Sequence, residues 1–453
     1  QTLWDVYQKS EFKSLREKTA EVLSRIKPRE IIDRHILKLK NKKSKVRYES
    51  ARILREMRIV EAVPHLVQVF ENDKSENVRS IAALALGELG STDAIPHLIR
   101  ALENNKDGDV RRRAALTLGE IGSAEYVPQI IRALENDKDK KVRCSAAEAL
   151  GKIGSAEAVP HLIRALTNDK SSVVRWNAVT AFGYIGSTEA VPHIIEALKN
   201  DKNEIVRWGA ADTLGYMGSA NAIPHLIQVL TKDRDNFVRI VTAEAFGNIG
   251  SAEAVPQLIQ MLENDINEDV RSSAADALGA IGSVDAIPHL IRVLTKDRDN
   301  LVRSSAVNAL GEIGSVDTVP HLIQVLENDK AEDVRNSAAL ALGEIRSSDA
   351  VPQLIQALGN DKDKNVRSST AFALGIIGSV EAVPHLIRAL ENDKDEEVRS
   401  SAAFALGEIG DEKVIPYLKK SLKDNSFAAM GNMKDVAYEA MEKISKRLHK
   451  RIF

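Results

Sequence analysis

The sequence predicts an all-α protein of about thirteen stacked helix pairs that repeat every 32 residues. Twelve prolines, from Pro64 to Pro416, stand 32 residues apart, and twelve arginines, from Arg47 to Arg399, keep the same spacing. Two series locked in phase over this length indicate one repeat architecture rather than several unrelated domains. Pro28 stands 36 residues before Pro64 and marks a first unit with a four-residue insertion.

Each unit carries the signals of two helices. Residues 378–409 read GSVEAVPHLIRALENDKDEEVRSSAAFALGEI. The proline fits the first turn of the first helix, where its missing N–H costs no hydrogen bond, and the NDKD segment forms the turn. The second helix ends at a glycine, as left-handed C′ positions favour. Another glycine, Gly87 in its first occurrence, lies inside the second helix. Since an interior glycine costs about 1 kcal/mol, we expect close approach of neighbouring helices there.

Composition limits the class of protein. The 453 residues are 43% hydrophobic and 28% charged, and no apolar run reaches the length of a membrane span. We therefore expect no membrane partner. The single cysteine, Cys144, excludes an internal disulfide and is typical of a reducing compartment, so the expected location is cytoplasmic.

Charge is distributed unevenly along the chain. Residues 1–47 carry 14 Lys and Arg against 6 Asp and Glu, and residues 413–453 carry 10 against 4. The totals leave 39 basic and 55 acidic residues in between, which argues against nucleic acid as a partner, since that affinity comes mainly from neutralised phosphates.

Two interpretations of the basic ends stay open, a contact with an anionic neighbour and a solvated cap. The residues concerned are Lys38, Lys40, Lys42, Lys43, Lys45, Lys446, Arg447, Lys450 and Arg451.

A turn aspartate and a Val-Arg pair recur six residues apart, from Asp73 with Arg79 to Asp393 with Arg399. These residues resemble those of the HEAT-repeat family, particularly the short repeats named after phycobilisome lyases. The resemblance implies a right-handed αα superhelix, a HEAT solenoid, with a buried Asp–Arg ladder that ties successive turns together. We expect an N-terminal helical cap over residues 1–27, the repeat array over 28–410 and a C-terminal capping repeat over 411–453.

The sequence shows no pattern of catalysis. Eight histidines directly follow a repeat proline, from His65 to His385, and such a row suggests metal binding. However, equivalent residues of stacked helices lie about 8–10 Å apart, too far to share one zinc ion. Deoxyhypusine hydroxylases of the HEAT class use His-Glu pairs, and no such pair follows these prolines. We therefore expect no catalytic residue, no metal, no cofactor and no enzymatic activity.

A cluster of aromatic residues is the clearest sign of a binding site. Positions one, five and nine after the repeat arginine share one face of the second helix, and HEAT solenoids place that helix on the concave side. In two adjacent units this face carries a tryptophan and a tyrosine. The predicted partner-binding residues are Trp176, Tyr184, Trp208 and Tyr216, bordered by Glu148, Asp212, Glu244 and Asp276. One alternative is that the tryptophans fill a wider gap between helices, and another places the site at Phe372 and Phe404.

These observations favour a non-catalytic scaffold that binds a protein or peptide on its concave face, through Lys or Arg of the partner. An alternative is the sensor array of a larger NACHT-type NTPase signalling protein, with an attached domain N-terminal to Gln1. A HEAT-like phycobilin lyase subunit is a third interpretation. A HEAT-like DNA glycosylase is a fourth, which the acidic body disfavours.

Overall fold

The computed structural model describes residues 29–90, 92–424, 427–429 and 431–448. This part of the chain contains 26 α-helices in thirteen consecutive pairs, which confirms the predicted all-α repeat fold. The first helices of the pairs are α1 (Arg29–Lys38), α3 (Val63–Asn72), α5 (Ile95–Asn104), α7 (Val127–Asn136), α9 (Val159–Asn168), α11 (Val191–Asn200), α13 (Ile223–Lys232), α15 (Val255–Asn264), α17 (Ile287–Lys296), α19 (Val319–Asn328), α21 (Val351–Asn360), α23 (Val383–Asn392) and α25 (Ile415–Ser421). The second helices are α2 (Ser44–Glu56), α4 (Glu76–Leu89), α6 (Gly108–Ile121), α8 (Lys140–Ile153), α10 (Ser172–Ile185), α12 (Glu204–Tyr216), α14 (Asn236–Ile249), α16 (Glu268–Ile281), α18 (Asn300–Ile313), α20 (Glu332–Ile345), α22 (Lys364–Ile377), α24 (Glu396–Ile409) and α26 (Met433–Leu448).

The chain divides into two compact units, Gln1–Met217 and Gly218–Phe453. Helices α1–α12 belong to unit 1 and α13–α26 to unit 2. Within each unit every first helix packs on the second helix of its own pair, and consecutive second helices pack side by side. Leucines of the first helices and the Val, Ala and Leu face of the second helices are buried at these contacts. The N-terminal cap predicted for residues 1–27 lies outside the described residues.

A short 3-10 turn leads into each first helix from α3 onward, and the repeat proline follows within the first two positions of the α-helix. These turns are Val60–Ala62, Thr92–Ala94, Ala124–Tyr126, Ala156–Ala158, Thr188–Ala190, Ala220–Ala222, Ala252–Ala254, Val284–Ala286, Val316–Thr318, Ser348–Ala350, Val380–Ala382 and Glu412–Val414. The proline supplies a preset φ where the helix begins and gives up no intrahelical hydrogen bond. It therefore fixes the start of the first helix in every repeat.

Most second helices end at a glycine in the left-handed region, such as Gly314 with φ 71°. Arg346 occupies the equivalent position at the end of α20 and adopts φ 56°. A left-handed conformation costs a residue with a Cβ about 1–2 kcal/mol. The chain accepts this strain at Arg346, because the tight connection to the next repeat requires the same backbone geometry as in its neighbours.

The repeat arginines form the predicted ladder, which ties successive turns together. In unit 1, Arg143 Nε and Nη2 donate to the carboxylate of Asp169, 26 residues later, at 2.7 and 3.0 Å. Its Nη1 donates to the backbone carbonyl of Asp137, six residues earlier, at 2.8 Å. Each guanidinium thus joins its own turn to the next one. The bidentate pairs in unit 1 are Arg47–Asp73, Arg111–Asp137, Arg143–Asp169 and Arg175–Asp201.

Unit 2 repeats this arrangement at each of its turns. The pairs are Arg239–Asp265, Arg271–Asp297, Arg303–Asp329, Arg335–Asp361, Arg367–Asp393 and Arg399–Asp424. Arg207, the last ladder arginine of unit 1, is half-buried, and its Nη1 donates to the Asp201 carbonyl at 3.0 Å. The bond to backbone predicted for Arg207 is therefore present.

Asn105 interrupts the ladder in unit 1, and Asp107 takes over part of its role, as the sequence suggested. Arg79 Nη2 lies 3.1 Å from the Asp107 carboxylate, while Arg79 Nε is buried without a hydrogen-bond partner among the described residues. Bidentate geometry is lost there, because an amide offers one acceptor oxygen, whereas a carboxylate offers two and a negative charge.

Eight ladder aspartates have a pKa below the ordinary value. Burial alone would raise the pKa of Asp169, but the hydrogen bond from Arg143, the N–H of Ser171 and the nearby positive charges outweigh it. The same balance lowers the pKa of Asp73, Asp137, Asp201, Asp297, Asp329, Asp361 and Asp393. The ionised form is thus preferred in the folded chain at every one of these turns.

The interior glycines allow second helices to approach closely, as the sequence predicted. A Cβ built on Gly119 would lie 2.7 Å from Cα of Ala149 on the next second helix, a distance that real side chains cannot adopt. The approach is looser at Gly183, where Cγ2 of Thr213 would lie 3.5 Å away, an ordinary contact, and Gly247 has a similar distance, 3.5 Å, to Cα of Ala277. The helices α10 and α12 therefore leave more room between them than α6 and α8 do.

The last pair ends the array with an altered turn. Strands β1 (Phe427–Ala428) and β2 (Gly431–Asn432) form a two-residue antiparallel ladder before α26. Arg447 donates to the backbone carbonyls of Glu408 and Gly410 at the end of α24. Lys446 pairs with Glu442 at 2.7 Å. These two basic residues thus have partners within the chain, whereas Lys450 and Arg451 lie outside the described residues.

The first prediction concerns the ladder. Arg143→Ala should lower the free energy of unfolding by roughly 3 kcal/mol, because it leaves the carboxylate of Asp169 partly buried without its cation. Arg143→Lys should lose less, since a lysine keeps the charge but not the planar fork. Urea unfolding followed by circular dichroism measures both. No loss for Lys would show that bidentate geometry contributes nothing, and an equal loss for Ala and Lys would show that the charge alone contributes nothing.

The second prediction concerns acid. Because the folded-state pKa of these aspartates is depressed, their contribution to stability is full above the ordinary value of about 3.9 and is lost as pH falls through the folded value. The melting temperature should therefore fall steeply below about pH 4. Asp169→Asn should be less stable at neutral pH but should lose less stability on acidification. Parallel curves for variant and wild type would contradict this account.

The third prediction concerns Arg346, whose side chain is exposed. Arg346→Gly should raise the free energy of unfolding by about 0.5–1 kcal/mol, since relief of left-handed strain exceeds the added entropy of the unfolded chain. The reverse change one repeat earlier, Gly314→Arg, is the matched control and should destabilise. If Arg346→Gly lowers the melting temperature, the arginine side chain stabilises this turn by a contact that outweighs the strain.

Candidate functional site

The two tryptophans predicted at the site contact each other in unit 1. Trp176 extends from α10 and Trp208 from α12, and their ring centroids lie 5.7 Å apart with the planes at 53°. Both side chains are half-buried. Tilted aromatic pairs at this separation are favourable beyond the area that they bury. The rings thus form a common base between the two second helices.

The sequence makes room for this base at two positions of α12. Gly209 stands two residues after the repeat arginine, where no other regular repeat has glycine. A Cβ there would lie 2.5 Å from Cδ1 of Trp176, so the indole rests directly on the backbone of α12. Thr213 keeps the helices apart one turn later. A ring as large as tryptophan fits because both conditions hold in the same pair of helices.

The two tyrosines form an exposed rim beside this base. Tyr184 is 67% exposed and Tyr216 is 73% exposed. Cδ1 of Tyr216 would lie 3.5 Å from a Cβ on Gly183, so its ring covers the wider gap between α10 and α12. We call Trp176, Trp208, Tyr184 and Tyr216 the aromatic groove. All four side chains are thus at least partly exposed, as predicted. The alternative, that the tryptophans fill a gap between helices, also describes Trp176, because its ring packs on Gly209.

Carboxylates and one lysine border the aromatic groove. Partial burial raises the pKa of Asp212, which lies on α12 four residues after Trp208. Glu148 pairs with Lys152 at 2.9 Å on α8. The hydrogen bond that Lys152 donates to Glu148 raises the pKa of Lys152, and the nearby Glu120 and Tyr184 raise it further. The border therefore carries both signs of charge, with an excess of carboxylate.

Glu244 and Asp276, the other two acidic residues of the predicted site, belong to unit 2. Both are exposed, on α14 and α16. Burial raises the pKa of Asp276, and a hydrogen bond with Ser305 opposes it. Within unit 1 the structure thus brings Trp176 and Trp208 into contact and places Tyr216 against Gly183 about two turns further along the same helices, while Glu148 and Asp212 lie on the same row of second helices.

Gly209, Thr213 and Lys152 also belong to this site, and the sequence reasoning missed them. Each departs from what its repeat position usually holds. Most repeats have alanine at the position of Thr213, two residues before the interior glycine, and Glu88 and Glu120 occupy the position of Lys152. A comparison of repeats at every position, not only at aromatic ones, would have found them. The Trp176 indole N–H is buried without a partner among the described residues, which indicates tight packing against α12.

The histidines that follow the prolines lie on the first helices, and His97, His161 and His289 lie within ion-pair distance of carboxylates. Nδ1 of His161 lies 2.7 Å from Glu135, and Nδ1 of His289 lies 2.9 Å from Glu263, in each case one repeat earlier. In the described part of the chain, no three or more His, Cys, Asp and Glu side chains are grouped to hold a metal ion. Burial raises the pKa of the Cys144 thiol to about 11, which disfavours a thiolate.

Stacked helix pairs joined by an arginine ladder define an α-solenoid built from helical repeats. A model of HEAT repeats matches residues 1–87, 36–111, 95–180, 160–247, 223–311, 288–375, 319–407 and 351–431. The chain belongs to the HEAT-repeat family.

Solved structures share this fold at low sequence identity. Importin beta crystallised in ammonium sulfate has a TM-score of 0.64 and 15% identity, covering 98% of this chain and 69% of that one. The Kap95:Nup1 complex has a TM-score of 0.57 and 14% identity, covering 99% and 73%. Yeast importin-beta (Kap95p) has a TM-score of 0.56 and 14% identity over the same shares. At these identities the likeness shows the fold alone, and no curated protein sequence matches the chain.

None of the described helices combines the length and the apolar character needed to cross a bilayer.

Proposed function

We propose that the chain is a non-catalytic scaffold and that the aromatic groove binds a protein segment through its Lys or Arg side chains. The observation that carries this proposal is the presence of two exposed tyrosines on the same two helices as a contacting pair of half-buried tryptophans, in a chain whose aromatic content is 4%. Tyr and Trp are enriched at binding hot spots, because they offer a large contact area at a small cost in conformational entropy.

Charge at the groove selects the partner. Asp212 and Glu148 lie on the same row of helices, and a guanidinium above a Tyr or Trp ring gains about 0.5–2 kcal/mol. A carboxylate near the same ring adds an ion pair, which is stronger where water is partly excluded. The roles of Glu244 and Asp276, which belong to unit 2, stay predictions from the sequence. The groove thus suits arginine better than a neutral or acidic side chain.

Related solenoids support a binding role, since one of them was solved as the Kap95:Nup1 complex. A cytoplasmic location, the array bounds 28–410, the cap at 411–453 and affiliation with NACHT-type proteins or phycobilin lyases stay predictions from the sequence.

The fourth prediction tests the groove with a synthetic peptide of alternating Gly and Arg. Two of the three tryptophans lie in the groove and the third is Trp4, so in a Trp4→Phe background the peptide should change tryptophan fluorescence saturably. Tyr184→Ala with Tyr216→Ala should weaken binding about tenfold, since two cation–π contacts are lost. Melting should be nearly unchanged, because both side chains are mostly exposed.

Two controls make this test specific. Tyr438→Ala removes an exposed tyrosine on α26 and should leave binding unchanged, and a Gly-Glu peptide should not bind. Trp176→Ala is expected to lower the melting temperature as well, because it empties the space above Gly209. Equal binding by wild type and the double tyrosine variant would place the site elsewhere.

A further inference from the structure

Unit 2 carries a second apolar surface on its row of second helices. Phe372 of α22 and Phe404 of α24 stack with centroids 5.1 Å apart and planes at 18°. Leu340 of α20 and Ile376 of α22 occupy the same helix face, and all four side chains are half-buried. A contiguous apolar patch of this kind on a repeat surface marks a place for a partner side chain.

One end of this patch is closed by the chain itself. Lys443 of α26 lies with Nζ 4.6 Å from the centroid of Phe404 and pairs with Glu408. The last second helix thus covers the outer face of one ring, and a partner can approach from the other side, along α22 and α20. The contact also shows that a cation beside a carboxylate is accommodated on these rings.

The row of second helices continues from the patch into three carboxylates. Glu344 lies on α20, Glu312 on α18 and Asp276 on α16, and all three side chains are exposed. A Cβ on Gly279 would lie 2.5 Å from Oε2 of Glu312, so this carboxylate is held against the backbone of the preceding helix. Glu344 lies in the same way against Gly311, at 2.9 Å. The glycines therefore fix these two carboxylates along one line.

Nothing in the described part of unit 2 neutralises the three carboxylates. No Lys or Arg forms an ion pair with them there, and burial together with the charges of Asp276 and Glu344 raises the pKa of Glu312. Mutual repulsion at fixed positions is relieved by a cation from outside. These three carboxylates thus favour a basic ligand on electrostatic grounds. They end at α20, where the apolar patch begins.

We propose that unit 2 holds a second docking surface, independent of the aromatic groove, for an extended segment that is basic in one half and apolar in the other. The basic half contacts Asp276, Glu312 and Glu344, and the apolar half contacts Leu340, Ile376 and Phe372. These residues lie on four consecutive second helices, so three intervals of roughly 8–10 Å give about 30 Å. An extended chain advances about 3.3 Å per residue, so about nine residues cover the surface and a twelve-residue peptide spans it fully.

A fluorescein-labelled twelve-residue peptide tests this surface. It carries four lysines in its first half and four leucines in its second half, with glycine elsewhere, and its anisotropy is followed with the full chain at physiological salt. We expect saturable binding. Glu312→Gln with Glu344→Gln should weaken it about tenfold, as expected for two lost charge pairs. Peptides with Glu for Lys, or with Ser for Leu, should each bind more weakly by a similar factor.

Matched variants separate this surface from bulk charge and from the aromatic groove. Glu253→Gln with Glu381→Gln removes the same charge from exposed positions of the 3-10 turns and should leave binding unchanged. Tyr184→Ala with Tyr216→Ala should also leave it unchanged, whatever that variant does to the Gly-Arg peptide. Phe372→Ala should weaken binding, with circular dichroism as a check of folding. The proposal is overturned if the wild type shows no saturation, if the control glutamates matter equally, or if the tyrosine variant abolishes binding.

Discussion

The arginine ladder is the contact on which the rest of this structure depends. A guanidinium has one planar fork, and here it binds the carbonyl of one turn and the carboxylate of the next at the same time. The aspartate accepts in addition a backbone N–H of its own turn, as Asp169 does from Ser171 at 2.8 Å. Three backbone segments are thereby fixed by one pair of side chains. Since such a partly buried pair is costly to break, consecutive repeats within a unit keep the same register.

A second constraint sets the distance between neighbouring second helices. Where glycine faces alanine, as at Gly151 and Ala181, a Cβ on the glycine would lie 2.8 Å from Cα of the alanine on the next second helix. The two backbones therefore approach very closely there. At Gly183 the facing residue is Thr213, whose methyl would lie 3.5 Å from such a Cβ, so the backbones do not approach as closely there. The aromatic groove lies at such a place. A regular scaffold thus obtains one irregular feature from a few atoms, without any change in the ladder.

The sequence was sufficient for the fold because period and helix signals are local. Pro64 and its equivalents start helices, Gly90 and its equivalents end them, and both depend on backbone conformation rather than on distant contacts. The ladder partner was not predictable in this way. The resemblance implied a ladder between successive turns, but the six-residue spacing does not say that Arg143 binds the carboxylate of Asp169 in the next repeat and only the carbonyl of Asp137 in its own. Gly209 was missed for the same reason, because its role depends on the ring of Trp176 in another helix.

The interior glycine also explains how one scaffold can present different chemistry at equivalent places. The ninth residue after the repeat arginine lies over the glycine of the preceding second helix: Glu120 over Gly87, Tyr216 over Gly183 and Glu312 over Gly279. The position is thus held by backbone geometry, while its side chain varies between carboxylate and aromatic ring. Because this residue takes no part in the ladder or the core, its identity changes the surface with little effect on folding. Binding preference in this chain can therefore differ from repeat to repeat while stability depends on contacts that every repeat shares.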